Sequence, residues 1–396
     1  MGRIWSIFRL AAILMMMVAA PLVARRAAVA LPNPFTDTLV ASVPAPIDLA
    51  VVERGPLRGA IFVTSKSGAL YYIPSGSGQA RKVLDLTGRV CSDGERGMLG
   101  VALDPRFGAG SNGIYLYYTA EEASCVNRVS RFEIRSSGSV DLGSEKMLVE
   151  TAPLGPTNHN GGDLEFGADG YLYVSVGENG RPSLAQRRNS YFGKILRVTT
   201  TGAPAPGNPW NIRKGAIACG LDGRAKKAPC AEVFALGLRN PFQIAFAPGS
   251  NNFMINDVGQ STWEEIDRGR KGANYGWPAR EGPCPQGMVL PCPAVPAGYT
   301  DPVAWYGHDS GCDSITAGAF VPSSAGWPSE FDGDYLVADF ICGNASALSD
   351  PLGPTPVLAS FLDALGPVVA WEFDPVQPGS LLYTNLIGEI RRISTG

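Results

Sequence analysis

Short apolar runs that follow a turn residue recur along most of the chain. Three closely alike copies and three looser ones begin, in chain order, at Gly68, Gly113, Gly170, Asn252, Gly333 and Gly379. A turn glycine ahead of a run rich in tyrosine and aliphatic residues is a hairpin signal. Six such starts, roughly 45 to 80 residues apart, indicate a repeated β-sheet unit.

The repeats predict an all-β fold, a single six-bladed β-propeller over residues 31–396. Helical periodicity is nearly absent outside the N-terminal segment. The irregular spacing leaves a β-sandwich or two β-domains open as alternatives. Two stretches rich in glycine and proline, 202–231 and 278–313, are predicted to be long loops that cross one face of the fold.

The first 30 residues have the pattern of a signal peptide. Arg3 and Arg9 precede an apolar run from Leu10 to Ala24, and Ala28–Ala30 is a candidate cleavage site. The run is shorter than the roughly 20 residues that a membrane span needs, so export with cleavage is favoured over a retained anchor. The expected location is secreted or periplasmic, without stable membrane insertion after cleavage.

The composition indicates a globular protein and argues against nucleic acid as a binding partner. Apolar residues make up 45% of the chain and charged residues 17%, which is typical of a globular protein with a buried core. Removal of residues 1–30 deletes four arginines and no acidic residue, and takes the formal charge from −3 to −7. An acidic protein without a basic run is not expected to bind nucleic acid.

Eight cysteines, all beyond residue 30, predict disulfide bonds in an exported chain. Eight cysteines allow 105 connectivities. The two pairs closest in sequence are favoured, and elimination then gives the other two: Cys219–Cys230, Cys284–Cys292, Cys91–Cys125 and Cys312–Cys342. Zinc is disfavoured because no C-x-x-C occurs and neither histidine has metal-ligand spacing to a cysteine.

His159 is one of only two histidines in the chain. It lies in the run His159–Asp163 (HNGGD), which is too polar and too rich in glycine for a core, just ahead of an apolar strand. On a loop at a blade entrance its side chain would face the central pocket, where a group with a pKa near neutrality can take a proton from an alcohol. His308, beside Cys312, is a weaker candidate for the same pocket.

Two further stretches carry possible chemistry. Arg239 and Asn240 precede a proline and a strand, and such a pair can bind a carboxylate or a developing oxyanion, although a surface ion pair is the simpler interpretation. Acidic residues cluster with glycine in 257–267, followed by Asn274–Pro278 (NYGWP). Carboxylates and exposed carbonyls suit calcium, with a solvated acidic turn as the alternative.

Together these motifs resemble a known family. Five segments occur in its order: Glu95–Phe107, His159–Gly180, Phe192–Arg197, Gly237–Pro241 and Asn274–Pro278. They are similar to the soluble glucose/sorbosone dehydrogenases, the aldose sugar dehydrogenases of the bacterial periplasm that use pyrroloquinoline quinone (PQQ). The resemblance extends from about residue 45 to the C-terminus and is strongest between 94 and 278.

The resemblance implies roles for particular residues. His159 matches the general base, and Glu178 stands where the family has an aspartate that orients this histidine. Arg239 and Asn240 match cofactor contacts, and Glu95 stands at a cofactor-binding glutamine. Gly259 and Gln260 match the positions that hold the cofactor's calcium, and Glu265 and Tyr275 match a second, structural calcium site.

The late blades depart from this pattern. The family places a lysine and arginines there against the PQQ carboxylates, whereas 333–344 and 365–374 contain neither residue. The sequence therefore supports two functions. One is a PQQ- and calcium-dependent dehydrogenase that oxidises an aldose at C1 and passes electrons to a soluble acceptor. The other is a non-catalytic propeller that binds a glycan or protein, with a calcium-dependent lactone hydrolase as a minor third candidate.

Overall fold

A computed structural model describes residues 35–395 of the chain. The predicted signal peptide, residues 1–30, lies outside the described residues. Within the described range the strands form six four-stranded antiparallel sheets and one two-stranded ribbon. The prediction of an all-β, six-bladed propeller is therefore confirmed.

The first three blades follow one another along the chain, each from its innermost to its outermost strand. Blade 1 contains β2 (Pro46–Val51), β3 (Ile61–Ser65), β4 (Ala69–Ile73) and β5 (Arg81–Asp85). Blade 2 contains β6 (Met98–Leu103), β7 (Gly113–Ala120), β8 (Val126–Ile134) and β9 (Val140–Glu150). Blade 3 contains β10 (Gly161–Phe166), β11 (Leu172–Val176), β12 (Lys194–Val198) and β13 (Val233–Leu236).

The later blades carry the insertion and the chain closure. Blade 4 contains β14 (Pro241–Phe246), β15 (Phe253–Asp257), β16 (Trp263–Arg268) and β19 (Ala304–Gly307), with the ribbon β17 (Arg280–Glu281) and β18 (Cys284–Pro285) inserted. Blade 5 contains β20 (Ile315–Phe320), β21 (Tyr335–Asp339), β22 (Ala345–Ser349) and β23 (Val357–Leu362). Blade 6 contains β24 (Val368–Phe373), β25 (Ser380–Asn385), β26 (Glu389–Thr395) and β1 (Phe35–Ser42).

Blade 6 joins the two ends of the described chain. Strand β1 pairs antiparallel with β26, with Phe35 opposite Thr395 and Ser42 opposite Glu389. The first described strand thus completes the last blade. This closure leaves only short, protected strand edges, which suppresses edge-to-edge association.

Polar side chains on the innermost strands connect neighbouring blades. Asp48 accepts a hydrogen bond from the Val101 amide at 2.8 Å, and Asp163 accepts one from the Ile244 amide at 2.6 Å. Gln243 accepts one from the Gly318 amide at 2.8 Å. These contacts satisfy backbone donors that face the central channel, where a twisted sheet cannot pair with its neighbour.

Four channel-lining acids come from the innermost strands of three blades, blades 1, 3 and 6. Asp48 (β2), Asp163 and Glu165 (β10) and Glu372 (β24) interact electrostatically across the axis. Burial raises the pKa of each of them, and the charges of the other acids raise the pKa of Asp48, Glu165 and Glu372 further. The channel therefore favours protonated carboxyl groups.

The glycine-led runs mark one strand in every blade, with a shift in blade 1. The runs that begin at Gly113, Gly170, Asn252, Gly333 and Gly379 lead into the second strand of their blades. The run at Gly68 leads instead into β4, the third strand of blade 1. The blade count was right because each blade contributes one copy, although the copies are not all equivalent.

The two long stretches fit the loop prediction only in part. Residues 202–231 connect β12 to β13 and contain a single 3₁₀ turn, Ile212–Lys214. The stretch 278–313 was wrongly predicted to be all loop, since it contains β17, β18 and β19. The run Ala304–Gly307 (AWYG) is too short and too isolated for a sequence signal, and its pairing with β16 makes it a strand.

All four predicted disulfide pairs are present: Cys91–Cys125, Cys219–Cys230, Cys284–Cys292 and Cys312–Cys342. Helical structure within the described residues is limited to 3₁₀ turns at Thr87–Arg89, Pro182–Leu184, Ile212–Lys214, His308–Ser310 and Ser329–Phe331. No helix among the described residues is long and apolar enough to cross a membrane.

The two faces of the propeller carry different loops. We call the face where the innermost strands begin the entrance face, and the face where they end the exit face. His159 precedes β10 and Arg239 precedes β14, so both lie at the entrance face. Glu178 and Gln260 follow second strands, which run back to the same face.

Candidate functional site

His159 and Glu178 form a buried pair at the entrance face. The Nδ1 atom of His159 is hydrogen-bonded to Oε1 of Glu178. Glu178 is fully buried and the side chain of His159 is 10% exposed. His159 has a left-handed backbone, φ 55°, which is uncommon outside glycine. The strained backbone and the buried carboxylate indicate that this imidazole is held in one orientation.

The contacts of the imidazole define its tautomer. A carboxylate can only accept, so Nδ1 of His159 carries the proton that Glu178 binds. The Nδ2 atom of Asn158 lies 2.9 Å from Nε2 of His159, and an amide NH₂ can only donate. Nε2 is therefore unprotonated, and it is the atom of this ring that can act as a base.

Glu95 holds the backbone of His159. Its Oε2 accepts a hydrogen bond from the His159 amide at 2.7 Å, and its own amide donates to the Thr157 carbonyl at 3.0 Å. The structure thus places Glu95 in the site, with one of its oxygens engaged in shaping the histidine loop.

Arg239 and Asn240 lie against the same loop. The amides of both residues donate to the carboxylate of Asp257, at 2.9 and 2.6 Å. The Arg239 carbonyl accepts from the Glu178 amide at 2.8 Å, and Asn240 Oδ1 accepts from the Gly161 amide at 3.0 Å. Hydrogen bonds from side chains and from the backbone thereby join the four residues, apart from Glu95, that are predicted to catalyse or to bind cofactor.

The guanidinium of Arg239 is buried and oriented. Its Nε and Nη2 donate to Oε1 of Gln260 at 3.1 and 2.9 Å, and Nη1 donates to the Val258 carbonyl at 2.8 Å. Its Cζ lies 5.7 Å from the ring centroid of Trp277. The oriented guanidinium of Arg239 and the single tautomer of His159 together make a preorganised electrostatic site.

Two free carbonyls lie beside Arg239. The carbonyl oxygens of Gly259 and Gln260 accept no hydrogen bond from residues 35–395. The amide of Gly259 donates to Glu264 at 3.3 Å, and the amide of Gln260 donates to Glu281 at 2.9 Å. With their amides bound and their carbonyls open, these residues suit a hard cation such as calcium.

A second group of oxygen atoms surrounds Glu265. Glu265 and Asp267 project from the same face of β16 and are both buried. Neither carboxylate oxygen of Asp267 has a hydrogen-bond partner among the described residues. Burial raises the pKa of both acids, and the charges of Asp267 and Asp257 raise that of Glu265 further. A divalent cation would remove this penalty, because it neutralises the acids and supplies the missing partner.

Tyr275 lies beside these acids. Its hydroxyl donates to the Arg268 carbonyl at 2.7 Å, so the phenol is engaged in the fold. Its carbonyl oxygen accepts no hydrogen bond within residues 35–395. The carbonyl is therefore the atom of Tyr275 that is available to a cation.

His308 lies at the entrance face but not beside His159. Its Nε2 is 2.7 Å from Oε1 of Glu264, which is fully buried. Glu264 also accepts from the amides of Ile315 and Gly259. Burial lowers the pKa of His308, but the hydrogen bond to Glu264 and its charge outweigh this and raise it. The residue supports the Gly259 loop and does not contact the His159 pair.

The sequence did not indicate the contacts that several residues of the site make. Asn158, Asp257 and Glu264 act through backbone amides or a single ring nitrogen, and such contacts depend on which loops meet in space. Asp267 belongs to the acidic cluster 257–267, but alternation along β16 alone does not reveal what covers its face of the strand. Lys66, half-buried near Glu95, was also missed.

The blade 5 and blade 6 side of the entrance face is apolar. Phe340 and Leu386 pack against the central core, while Ile341 and Ile387 are exposed. These residues lie in the loops that follow the second strands of the two blades. Neither 333–344 nor 365–374 contains lysine or arginine, and the loops at 340–341 and 386–387 form an apolar rim on blades 5 and 6.

The family description Glucose / Sorbosone dehydrogenase matches residues 45–344. The aldose sugar dehydrogenase YliI of Escherichia coli is 30% identical over 225 residues, which cover 56% of this chain and 57% of that protein. The HIPL2 protein of Arabidopsis thaliana is 31% identical over 264 residues, which cover 61% of this chain and 36% of that protein. The matched part of this chain thus spans 57% of the length of the first relative and 36% of the length of the second.

Among solved structures, the PQQ-bound form of an aldose sugar dehydrogenase from Streptomyces coelicolor superposes with a TM-score of 0.70 and 26% identity. The match covers 92% of this chain and 99% of that one. The match therefore extends over nearly the whole of this chain.

Proposed function

Because the chain belongs to the glucose/sorbosone dehydrogenase family, we propose that it is a PQQ- and calcium-dependent oxidoreductase that oxidises an aldose at C1 to the lactone. The observation that carries this proposal is the buried His159–Glu178 pair with Arg239 and Asn240 tied to it. Four groups held in one place by backbone hydrogen bonds are more than a surface loop of a binding protein needs.

In this proposal His159 is the general base. Its unprotonated Nε2 takes the proton of the C1 hydroxyl, and the imidazolium that forms is stabilised by the buried carboxylate of Glu178 through Nδ1. Asn158 yields its place at Nε2 to the sugar hydroxyl. The quinone, when bound, would accept the hydride from C1.

Arg239 and Asn240 would hold the cofactor. The Arg239 guanidinium presents a fixed positive charge to an electron-rich oxygen, and Trp277 covers its flank. Asn240 uses its Oδ1 on Gly161, so its NH₂ is the group left for a ligand. Glu95 would take part through a bridging cation, since its charge opposes that of a carboxylated cofactor.

Calcium fits two groups of atoms. The open carbonyls of Gly259 and Gln260 would hold the cofactor's calcium, and Glu265 with the Tyr275 carbonyl would hold a structural calcium. The unpartnered carboxylate of Asp267 supports the second placement, because a fully buried acid without a partner is costly unless a cation neutralises it.

The apolar rim of blades 5 and 6 favours a second candidate. A propeller without cations there would hold the carboxylates of PQQ more weakly, since each charge-assisted hydrogen bond contributes about 1.5 to 3 kcal/mol. Exposed Ile341 and Ile387, 41% and 61% accessible, suit instead a glycan or protein partner. The alternative function is a non-catalytic binding propeller.

We propose that the protein acts outside the cytoplasm. Four disulfides are typical of chains that fold in an oxidising compartment. Secretion or residence in a periplasm would give access to sugars and to a soluble electron acceptor.

Titration of PQQ with calcium into the purified protein, followed by aldoses and a redox dye, distinguishes the two candidates. We expect saturable binding and sugar-dependent dye reduction that is lost in His159→Ala and retained in Glu121→Gln, a matched exposed control. Binding without turnover, or no binding at micromolar PQQ, would instead support the binding propeller. Lactone opening without PQQ would indicate a hydrolase.

A further inference from the structure

A separate cleft opens at the exit face, on the opposite side of the propeller from His159. It has a volume of about 690 Å³, within the range of about 300 to 1,000 Å³ that is typical of small-molecule sites. It is formed mainly by blade 2, with Pro56 from the β2–β3 connection and Thr200 from the β12–β13 connection. These connections follow strands that run away from the entrance face.

The base of the cleft is a fixed polar network. The Tyr115 hydroxyl donates to the Thr200 carbonyl at 3.2 Å and lies 3.4 Å from Oδ2 of Asp104. Asp104 in turn accepts from the Arg106 amide at 2.9 Å. Burial raises the pKa of Tyr115 to about 12, so its hydroxyl stays protonated. The network ties blade 2 to blade 3 and holds the shape of the cleft.

One wall carries a partly buried arginine. Nη1 of Arg131 donates to Oε1 of Glu133 at 2.6 Å, and its Cζ lies 5.9 Å from the ring centroid of Tyr115. The side chain of Arg131 is 17% exposed and that of Glu133 is 44% exposed. The ion pair thus presents both a donor and an acceptor to the cleft.

Two further cations at the cleft are unpaired. Arg106 and Lys146 are exposed and form no ion pair within residues 35–395. With Arg131, and against the carboxylates of Asp104 and Glu133, they leave the cleft with one excess positive charge. This is a local reversal in a chain with a formal charge of −3.

The donor and acceptor groups indicate the ligand class. Two carboxylates accept hydrogen bonds from hydroxyl groups but repel a phosphate dianion. Cations, threonine hydroxyls and the Asn112 amide donate to hydroxyl and carboxylate oxygens. A single excess positive charge matches one carboxylate. We propose that the exit-face cleft binds a saccharide that carries a carboxylate, such as a uronate residue of an acidic glycan.

The proposal does not depend on the proposed oxidation. The cleft and the His159 site lie on opposite faces, so occupation of the cleft requires neither PQQ nor calcium. Loss of dehydrogenase activity in a variant and loss of uronate binding are thus separate results, and one can fail without the other.

The test compares two probes that differ only in the carboxylate. Methyl α-D-galacturonide and methyl α-D-galactoside are titrated into the disulfide-bonded protein at low ionic strength, by calorimetry or ligand-observed NMR. We expect 1:1 binding of the galacturonide and at least tenfold weaker binding of the galactoside, since each charge-assisted contact is worth about tenfold in affinity. Binding should weaken with salt.

Variants locate the site without disturbing the base of the cleft. The double variant Arg106→Gln and Lys146→Gln removes the two exposed cations and should weaken galacturonide binding by about tenfold or more. The control Lys226→Gln and Lys227→Gln removes the same charge from an exposed loop elsewhere and should bind normally. Sugar oxidation should be unchanged in both.

Four results would overturn the proposal. They are equal weakening by both double variants, equal binding of galactoside, tighter binding of inorganic phosphate than of galacturonide, and no binding of either glycoside up to the limit of solubility. The first would indicate general electrostatic attraction, the second a site without a role for its cations, the third an inorganic anion site and the last a solvent-filled crevice.

Discussion

The four acids of the central channel predict an unusual dependence of stability on pH. Asp48, Asp163, Glu165 and Glu372 face one another across the axis, and burial raises the pKa of each. A carboxyl group whose pKa is higher in the folded than in the unfolded protein binds its proton more tightly when folded. Stability is then greatest at low pH and falls as the pH rises from the unfolded towards the folded pKa.

The size of the effect follows from Asp163, which is 7% exposed and whose pKa is raised by burial from 3.8 to about 7. Each tenfold difference in proton affinity is worth about 1.4 kcal/mol, so ionising this one group in the folded protein costs at most about 4 kcal/mol. Glu165 and Glu372 keep partial contact with solvent in the channel, and their contributions are smaller. The free energy of unfolding should thus fall by several kcal/mol between pH 4.5 and pH 8.

Glu165→Gln isolates this effect, because no hydrogen bond to its carboxylate exists within residues 35–395 whose loss would complicate the result. The variant should be more stable than the wild type by about 1 to 2 kcal/mol at pH 8, the order of magnitude of one repulsion between like charges at an effective dielectric constant of about 20. At pH 4.5 the two proteins should be equally stable. Urea unfolding of the metal-free protein at both pH values measures the difference.

Glu121→Gln is the control, since Glu121 is exposed and its charge does not contribute to the raised pKa of any of the four channel acids. It should match the wild type at both pH values. A stability that rises from pH 4.5 to pH 8, or a Glu165→Gln variant with the same pH profile as the wild type, would show that the channel acids are ionised without cost and that the argument from burial is wrong.

Three further predictions concern the candidate site and the disulfides. Glu178→Gln keeps an acceptor for Nδ1 of His159 but removes the charge that stabilises its imidazolium, and should lower kcat by about 100-fold or more with little change in KM; a KM effect alone would indicate a binding role. Asp267→Asn should abolish the rise in Tm that calcium produces over EDTA in the wild type, and an unchanged rise would place the ion elsewhere. Cys312→Ser with Cys342→Ser opens a loop with a sequence separation of 30 and should cost about 3 to 4 kcal/mol of unfolding free energy in denaturant titrations; an undiminished stability would contradict this.

Much of the fold could be predicted because short sequence patterns determine it. A turn glycine followed by an alternating apolar run needs no long-range information, and one such run per blade was enough to count the blades. The disulfide pairs followed from closeness in sequence for two of them. The outer strand of blade 4, Ala304–Gly307, could not be predicted, because its conformation depends on pairing with β16.

The candidate site was predictable in its reactive residues but not in their arrangement. His159, Arg239 and Asn240 stood out because each lies just before a strand, and a propeller brings the starts of its innermost strands to one face. One carboxylate oxygen of Glu95 binds the amide of His159. That contact joins residues 64 apart in sequence, and no local pattern encodes it.

By itself the sequence determined the repeat, the disulfide framework and the residue types that a polar entrance-face loop presents, because hydrophobic alternation, turn chemistry and covalent pairing all act over short distances. Only the tertiary structure decided which nitrogen of His159 is free, which acid orients it and which carboxyls lack partners. It also placed the acids of three blades in one channel. These features depend on desolvation and on hydrogen bonds between separate blades, and both arise only when the propeller closes.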